Sequence, residues 1–556
     1  MRRSFWLASG WWLAVVAWLN ASHYLPWANF QSEWLALLGL VVMLTAVASR
    51  GEDWQMPRAC VPVMLLCLVP LAQFAAGLLP FAGEAWVAVG YLLALAGAMS
   101  LGYRATMQDR PVAFPLGAIV WLPALLTAVI GLLQWLGYTW PLGTFAVHPD
   151  IGDRPMGNMA QPNQFATLLL MGAAALWFDY ERGSLRGSVT GLAAGFCIAL
   201  ALLSQSRTAL LSMAAIGFYG ILKTLTGRTR LSAKALAVAA AVVIAGALAV
   251  KPINEVLLLA GNRGLAIGDL NTREVLWRQI ISGIQAHPWV GYGWNQTHAA
   301  QVVGSAEHAG TMVIVYAHNL LLDLLAWCGV PLGLLVFASL ALWLARRSVQ
   351  ANTGPAVAAC AVLFPFSVHS LLEFPFAYSY FLIAAGLCAG CIEALVVPGH
   401  TIQVSRRLVA STAVMGFCAL VLASFDYIRA EEDFRTLRFR NQRIGRPPEA
   451  YQEPAIHMLT QLRGFLDAVR IVPRKSMPDE EMELLRTVSA RVPYPRLSYH
   501  YALALAYQGR TKDAEAQFKS LGRLYGALYL RRIASEYVRT REEDDPTLPE
   551  LDLRAP

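Results

Sequence analysis

Long apolar segments recur along most of the chain and set its fold class. They lie near residues 5–21, 34–49, 59–79, 84–102, 113–137, 163–178, 188–203, 207–222, 235–250, 319–345, 355–371, 376–397 and 408–427. In lipid, a helix satisfies its own backbone hydrogen bonds, and about 20 apolar residues suffice to cross a bilayer. The pattern predicts an all-α, polytopic integral membrane protein with about 12–13 transmembrane helices.

The composition agrees with this pattern, because 56% of the 556 residues are hydrophobic and only 14% are charged. A water-soluble protein of this length could not bury such a share in its core. The eight cysteines fall within or beside the apolar segments. They are predicted to be packing residues, and neither a disulfide framework nor a metal site is expected from them.

Positive residues indicate the orientation. Basic pairs fall on one side of the membrane, such as Arg2 and Arg3 at the start and Arg406 and Arg407 near the last span. The loops on the other side contain few basic residues before residue 428. The positive-inside rule then predicts a cytoplasmic amino terminus. The net charge of +8 is explained largely by inner loops that face anionic lipid, so no nucleic acid partner is expected.

Three regions follow from these patterns. Residues 1–137 are predicted to hold the N-terminal transmembrane helices, and residues 138–427 a membrane region with long outer loops at 138–162 and 251–318. Residues 428–556 are charged and lack long apolar runs. They are predicted to form a soluble helical domain outside, in which Tyr501–Phe518 has the spacing and Gly-centred turn of a tetratricopeptide-repeat (TPR) hairpin.

Polar motifs occur at the outer ends of several apolar segments. The first loop ends in Gln161-Pro-Asn163, and Ser206-Arg207 forms a short outer turn. An arginine there either extends to the lipid headgroups or binds an anion, and the motif alone leaves both interpretations open. In the second loop, Gly291-Tyr-Gly293 is weak evidence for phosphate binding, and a connector is the simpler interpretation.

Two further motifs contain histidine. His318 and Asn319 lie at the outer mouth of the tenth apolar segment, and the deeper Asp323 should face the protein interior because a buried carboxylate is costly. His318 could accept a proton at neutral pH, or it could be a structural residue of the interface. His369 and Glu373 are four residues apart in the next outer turn, where a packed turn is the alternative.

In this order, the motifs resemble those of the PglL-type bacterial protein O-oligosaccharyltransferases, which belong to the superfamily of O-antigen ligases and polymerases. Gln161-Pro-Asn163 and the His-Ser-Leu-Leu-Glu segment at 369–373 are the more specific marks, and the resemblance covers residues 140–400. It implies transfer of a glycan en bloc from undecaprenyl pyrophosphate to Ser or Thr hydroxyls of periplasmic or pilin-like proteins. It also implies a single inverting displacement in the bacterial inner membrane, with the active site and residues 428–556 in the periplasm.

The resemblance further implies roles for individual residues. His318 would deprotonate the acceptor hydroxyl, and Arg207 and Arg273 would hold the pyrophosphate. The residues expected to bind substrate are Arg154, Gln161, Asn163, Asn319, His369 and Glu373. We expect the arginines and His318 to converge on one site. The implied partners are the lipid-linked donor, the protein acceptor and membrane lipid; no cofactor is implied, and no Asp-rich cluster suggests a metal.

Three other functions fit parts of the sequence. An O-antigen ligase would attach the same glycan to lipopolysaccharide core sugar and would share the arginines and His318. A transporter of lipid-linked glycans would use its arginines to line a path, although no inverted pair of broken helices is visible. A passive anchor for a docking module is opposed by the many spans and the motif-bearing loops.

Overall fold

The computed structural model consists almost entirely of helices, and it describes residues 2–49, 53–108, 117–150, 152–257, 259, 268–442, 444 and 451–553. The helices are α1 (Arg2–Ala17), α2 (Phe30–Ala48), α3 (Cys60–Leu66), α4 (Leu68–Ala75), α5 (Ala82–Met107), α6 (Ala118–Trp135), α7 (Pro162–Glu181), α8 (Gly187–Leu203), α9 (Arg207–Leu225), α10 (Ala233–Leu257), α11 (Gly268–Ala286), α12 (Thr297–Gly304), α13 (Leu320–Gln350), α14 (Gly354–Ser370), α15 (Ser379–Val396), α16 (Arg406–Asn441), α17 (Thr460–Arg470), α18 (Asp479–Ser489), α19 (Pro495–Tyr507), α20 (Thr511–Tyr525) and α21 (Ala527–Arg539). Two short strands, β1 (Trp54–Pro57) and β2 (Thr401–Val404), pair in antiparallel register with Trp54 opposite Val404.

Every predicted apolar segment overlaps a helix, although the one at 59–79 contains two short helices, α3 and α4, and residues 113–116 lie outside the described residues. Eight helices in the described part are long and apolar enough to cross a membrane, namely α2, α5, α6, α9, α10, α13, α15 and α16. Shorter apolar helices cover Phe5–Ala17, Cys60–Ala75, Gly187–Leu203 and Gly354–Ser370. The prediction of a polytopic α-helical membrane protein is confirmed, and the count of 12–13 crossings stays a prediction.

The chain forms two compact units. The first comprises Met1–Cys67, Gly90–Gly264 and Leu340–Val421, and the second comprises Leu68–Val89, Leu265–Ser339 and Leu422–Pro556. These units are defined by internal contacts rather than by function. The division into regions at residues 137 and 427 therefore stays a prediction.

Helix α7 forms the centre of the first unit, where it packs against α6, α8, α9 and α14. Residues 164–172 are all buried, as expected for a helix that is apolar on every side. Small residues allow the helices to approach closely: a Cβ added to Gly172 would lie 2.3 Å from the Cβ of Ala124 on α6. This packing fixes the amino-terminal end of α7, where the motif at 161–163 lies.

In the second unit, α11 packs against α12, and each of the helices α17–α21 packs against the next. Gly509 adopts φ +71° between α19 and α20, which is the Gly-centred turn that the TPR-like spacing predicted. The ring of Phe518 is fully buried, with centroids 5.8 Å from Tyr499 and 5.4 Å from Tyr537. Buried aromatic side chains thus join α19, α20 and α21 of residues 428–556.

The tail also contacts the segment around α12 within the second unit. Arg491 donates to Oε1 of Gln296 at 3.1 Å, and the Gln296 amide donates to Glu84 at 2.9 Å. Further along, the backbone N–H of Gly310 donates to the carbonyl of Arg523 at 2.7 Å. These contacts hold the segment that leads to His318 against the tail helices.

Candidate functional site

Strained backbone marks the predicted motifs. Four non-glycine residues of the described chain have left-handed φ angles, and each directly precedes the capping residue in front of a helix: Ala160 (φ 53°) before Gln161, Gln205 (φ 51°) before Ser206, Asn295 (φ 61°) before Gln296, and His318 (φ 54°) before Asn319. Such conformations cost about 1–3 kcal/mol and persist where the surroundings fix them. The motifs at 161–163, 206–207 and 318–319 all contain or adjoin one.

The helices α7 and α9 begin beside each other in the first unit. Gln161 caps α7 by accepting from the N–H of Gln164 at 2.6 Å. Ser206 caps α9 by accepting from the N–H of Ala209 at 3.2 Å, and its hydroxyl donates to Oδ1 of Asn163 at 2.7 Å. Helix starts carry unsatisfied N–H groups and a positive dipole, so two of them together favour an anion.

Two arginines are associated with the turn that leads into α9. Arg207 is the first residue of α9 and is partly buried, and Arg154 donates to the backbone carbonyl of Ser204 at 3.3 Å. The Arg154 guanidinium is thus bonded to the turn between α8 and α9, and the Arg207 side chain starts from that turn. We call Arg154, Gln161, Asn163, Ser206 and Arg207 the helix-start cluster.

Glu373 and His369 support the helix-start cluster from α14 and the turn after it. The side-chain amide of Asn163 donates to Oε1 of Glu373 at 3.3 Å, and Glu373 is buried. His369 is completely buried, and its Nδ1 lies 2.9 Å from the hydroxyl of Thr167 on α7. Because its side chain has no exposed surface, His369 supports the cluster from the protein interior. Asn163, in contrast, remains partly exposed.

The sequence analysis missed Gln134, which fixes the end of the loop at 138–162. This buried amide donates to the carbonyls of Val147 and Gly157, both at 2.9 Å. Its oxygen accepts from the N–H groups of Met156 at 2.9 Å and Gly157 at 2.7 Å. The sequence did contain a signal for Gln134, namely a polar amide within an apolar helix. Such a side chain needs hydrogen-bond partners inside the protein.

Asn158 was also missed, and it ties the same loop to the first two helices. It is fully buried and donates to the carbonyls of Leu19 at 2.6 Å and Phe145 at 2.9 Å. His23 approaches the carbonyl of Asn158 with its Nε2 at 2.9 Å. Nothing in the sequence marks these contacts, since they join segments far apart in the chain.

In the second unit, the backbone on both sides of His318 is held. The carbonyl of Ala317 accepts from the indole N–H of Trp277 at 2.9 Å, and its N–H donates to Oδ1 of Asp323 at 2.8 Å. Asn319 then caps α13, because its side-chain oxygen accepts from the N–H groups of residues 321 and 322. We call Trp277, Ala317, Asn319 and Asp323 the His318 clamp.

Arg273 lies on α11, one turn before Trp277 and on the same face of that helix. The predicted site residues thus fall in both units: Arg154, Gln161, Asn163, Arg207, His369 and Glu373 in the first, and Arg273, His318 and Asn319 in the second. Among the described residues, no group of three or more His, Cys, Asp or Glu side chains is placed to hold a metal ion.

The glycine motif in the second loop is a connector. The N–H groups of Tyr292 and Gly293 donate to the carbonyls of Ala326 and Trp327 at 2.8 Å and 3.2 Å. These backbone donors are used where α13 is interrupted by Gly329, which has φ 77°. They are therefore committed to the fold and do not form a phosphate cradle.

Three family models match the chain. A model described as protein glycosylation ligase matches residues 155–178, and one described as O-antigen ligase matches residues 192–338. A third, described as the C-terminal part of a virulence factor membrane-bound polymerase, matches residues 357–535 and so extends into the tail. The first two contain the His318 clamp and every residue of the helix-start cluster except Arg154.

Two curated proteins are similar along most of the chain. The general O-oligosaccharyltransferase of Acinetobacter baylyi is 27% identical over 526 residues, which cover 92% of this chain and 91% of that protein. The ComP-specific O-oligosaccharyltransferase of the same organism is 25% identical over 407 residues, covering 72% of this chain and 73% of that protein. The resemblance to the PglL-type protein O-oligosaccharyltransferases of the O-antigen ligase superfamily, drawn from the motifs, is therefore confirmed.

Proposed function

We propose that the enzyme moves a glycan en bloc from undecaprenyl pyrophosphate to Ser or Thr hydroxyls of periplasmic or pilin-like proteins. A lipid-linked glycan donor and a protein acceptor are the general substrates of its family. The observation that carries the proposal is the helix-start cluster, where two helix amino termini and two arginines meet in one unit. This arrangement suits a pyrophosphate, whose charge increases as it leaves.

The reaction we propose is a single displacement with inversion. The acceptor oxygen attacks the anomeric carbon while its proton passes to His318, and the bond from that carbon to the pyrophosphate oxygen breaks. Arg207, Arg273 and Arg154 stabilise the leaving lipid pyrophosphate, because guanidinium groups offer several donors to phosphate oxygens. Gln161, Asn163 and Asn319 contact substrate, and His369 and Glu373 support them.

The proposed setting is the bacterial inner membrane, with the amino terminus in the cytoplasm. Residues 138–427 would form the catalytic membrane region and residues 428–556 a periplasmic TPR-like domain. The basic residues at Arg2, Arg3, Arg406 and Arg407 support this orientation. The acceptor range of this chain is open, since one relative is described as general and the other as specific for ComP.

One other activity is favoured by a specific observation. The O-antigen ligase model matches residues 192–338, which include Arg207, Arg273 and His318. A ligase would use the same residues with lipopolysaccharide core sugar as acceptor. The two activities are therefore separated by the acceptor alone.

The deciding experiment is glycan transfer by the purified full-length protein from undecaprenyl-pyrophosphate glycan. Two acceptors are offered separately, a Ser-containing pilin-like protein and lipopolysaccharide core. We expect glycosylated protein, no product with an acceptor whose Ser is replaced by Ala, and no product with His318→Ala. His457→Ala is the matched control, because His457 is exposed in the same unit. Transfer only to the core would favour the ligase, and transfer to neither would contradict both.

A further inference from the structure

We propose that two connecting segments of the first unit insert into the surface layer of the bilayer, at the level of the lipid headgroups and the first acyl carbons. They are residues 18–29, between α1 and α2, and residues 136–149, at the end of α6 and after it. Five of their exposed side chains form what we call the aromatic rim: Tyr24, Leu25, Tyr138, Trp140 and Phe145. The partner of this surface is the bilayer itself, and the inference does not depend on the proposed reaction.

The two segments carry no formal charge. Between Arg3 and Glu33 the sequence contains no Asp, Glu, Lys or Arg, and the same holds between Arg110 and Asp150. The connection at residues 226–232, in contrast, carries two arginines. Charged side chains are costly in the apolar part of a bilayer, whereas Trp and Tyr are enriched at its surface. The composition of both segments therefore fits this layer.

Large rings of the rim are exposed to the outside of the unit. Trp140 is 70% exposed, Phe145 is 82% exposed and Tyr24 is 67% exposed. The ring of Tyr138 lies edge-on to that of Trp140, with centroids 5.5 Å apart. Exposed apolar patches mark interaction sites, and the indole and phenol rings combine an apolar body with one polar atom. Such rings suit the boundary between acyl chains and headgroups.

The rim continues the lipid-facing surface of α6. This helix is long and apolar enough to cross a membrane, and its exposed residues Leu126, Val129 and Leu136 share one face. Leu136 is followed after one glycine by Tyr138 of the rim. An apolar surface thus passes from the span into the rim without a charged residue. The bilayer that covers the first part is the simplest cover for the second.

The backbone of residues 136–149 is bonded by side chains of the protein. Three of its carbonyl groups accept such hydrogen bonds: Gly143 from Nε2 of His148 at 2.7 Å, Phe145 from Asn158 at 2.9 Å, and Val147 from Gln134 at 2.9 Å. The N–H of Val147 also donates to Oδ1 of Asn158 at 3.0 Å. Water would satisfy these groups in an ordinary loop, whereas acyl chains offer no partners, so a segment in contact with them must bond its backbone internally.

Asn158 joins the two segments to each other. Its amide donates to the carbonyl of Leu19 at 2.6 Å, and its own carbonyl lies 2.9 Å from Nε2 of His23. Four residues earlier in the same connection, Arg154 donates to the carbonyl of Ser204. The rim and the helix-start cluster therefore lie at the same end of the first unit. Insertion of the rim would hold Arg154 near the level of the lipid headgroups.

The test measures the depth of the rim in dioleoylphosphatidylcholine nanodiscs. The full-length protein carries Cys418→Ala, because Cys418 is exposed and would itself be labelled. A nitroxide is attached through Trp140→Cys or Phe145→Cys, two exposed positions where a label should be tolerated. Its collisions with oxygen, which concentrates in lipid, and with a water-soluble nickel chelate are measured by electron paramagnetic resonance.

Two further positions of the first unit serve as references. Asp153→Cys labels an exposed, charged position of the same connection and reports water, and Val129→Cys labels the exposed face of α6 and reports lipid. We expect the ratio of oxygen to nickel collisions at residues 140 and 145 to exceed that at 153 by about threefold or more and to stay below that at 129. Tyr24→Cys should behave in the same way and tests the other segment independently.

Three results would overturn the inference. A ratio at residues 140 and 145 equal to that at 153 would place the rim in water. Few collisions with either reagent, together with dipolar broadening between labels, would mean that a second copy covers it. Protection from nickel only after a pilin-like protein is added would make it an acceptor surface. Each labelled protein should melt at the temperature of Cys418→Ala, and since no glycan transfer is measured, failure of the proposed function would leave this result unaffected.

Discussion

The polar clusters of the two units differ in the kind of group they are built to hold. The helix-start cluster of the first unit consists of helix amino termini, amides and guanidinium groups, which mainly offer hydrogen-bond donors. The His318 clamp of the second unit holds the backbone on both sides of a histidine, with the buried carboxylate of Asp323 accepting from the N–H that precedes it. Donors suit the anionic leaving group, and a histidine held in place suits a proton. The comparison separates charge stabilisation from proton transfer within one proposed reaction.

The largest effect should come from Arg207, because it acts on developing charge. We expect Arg207→Ala to lower turnover by about 10³-fold, with only partial recovery in Arg207→Lys, since lysine lacks the planar fork of donors. Transfer kinetics measure the loss. Arg407→Ala, at an exposed position, is the control. Wild-type turnover in Arg207→Ala would contradict the claim that the helix-start cluster stabilises the leaving group.

The next effect concerns stability and belongs to the second unit. Burial is the main cause that lowers the pKa of His298 from 6.5 to about 4. The unfolded chain takes up this proton near pH 6.5, and the folded chain does so only near pH 4. Stability from His298 is thus complete above pH 6.5 and falls as the pH falls toward 4, by roughly 3 kcal/mol.

The measurement is unfolding of the full-length protein in detergent between pH 4 and pH 7.5. We expect His298→Gln to reduce the loss of unfolding free energy on acidification, and His457→Gln to leave it unchanged. His500 on α19 has its pKa lowered to about 4 as well, chiefly by burial, so part of the loss remains in His298→Gln. Equal acid sensitivity in the His298→Gln and wild-type proteins would contradict the assignment.

The third prediction tests whether the residues of the helix-start cluster depend on one another. Asn163 accepts from Ser206 and donates to Glu373, so Asn163→Ala breaks both links. We expect roughly a tenfold loss in kcat/KM for the lipid donor, which corresponds to about 1.4 kcal/mol. In a double-mutant cycle with Ser206→Ala, the two losses should not add, with a coupling of about 0.5–3 kcal/mol. Strict additivity would show that the two helix starts act independently.

The fold was largely predictable because lipid leaves the backbone few options. Apolar runs such as 84–102 and 319–345 identified α5 and α13, since a segment in lipid must bond its own backbone. The motif residues Gln161, Arg207 and Asn319 were placed at the outer ends of such runs, and in the structure they stand at the starts of α7, α9 and α13. Hydropathy therefore located these positions along the chain.

What the sequence could not provide was the partner of each polar residue. Thr297 and Asp323 are 26 residues apart, and only folding of the second loop brings them into contact. Asn163 and Glu373 are 210 residues apart. The division into units also passes through the apolar segments of α5 and α13, where no change in hydropathy marks a boundary. Contacts of this kind depend on packing rather than on local pattern.

The smallest predicted effect comes from the indole of Trp277, which holds the other side of the His318 clamp. Trp277→Phe keeps an aromatic ring on α11 but removes the hydrogen bond to the carbonyl of Ala317, at a cost of about 1 kcal/mol. Because Asp323 still holds the N–H of Ala317, we expect only a few-fold loss of turnover. Transfer kinetics with the lipid-linked donor and the protein acceptor measure this loss. A loss as large as that of Arg207→Ala would mean that the backbone before His318 needs both of its hydrogen bonds, and the two units would then differ less than their residues suggest.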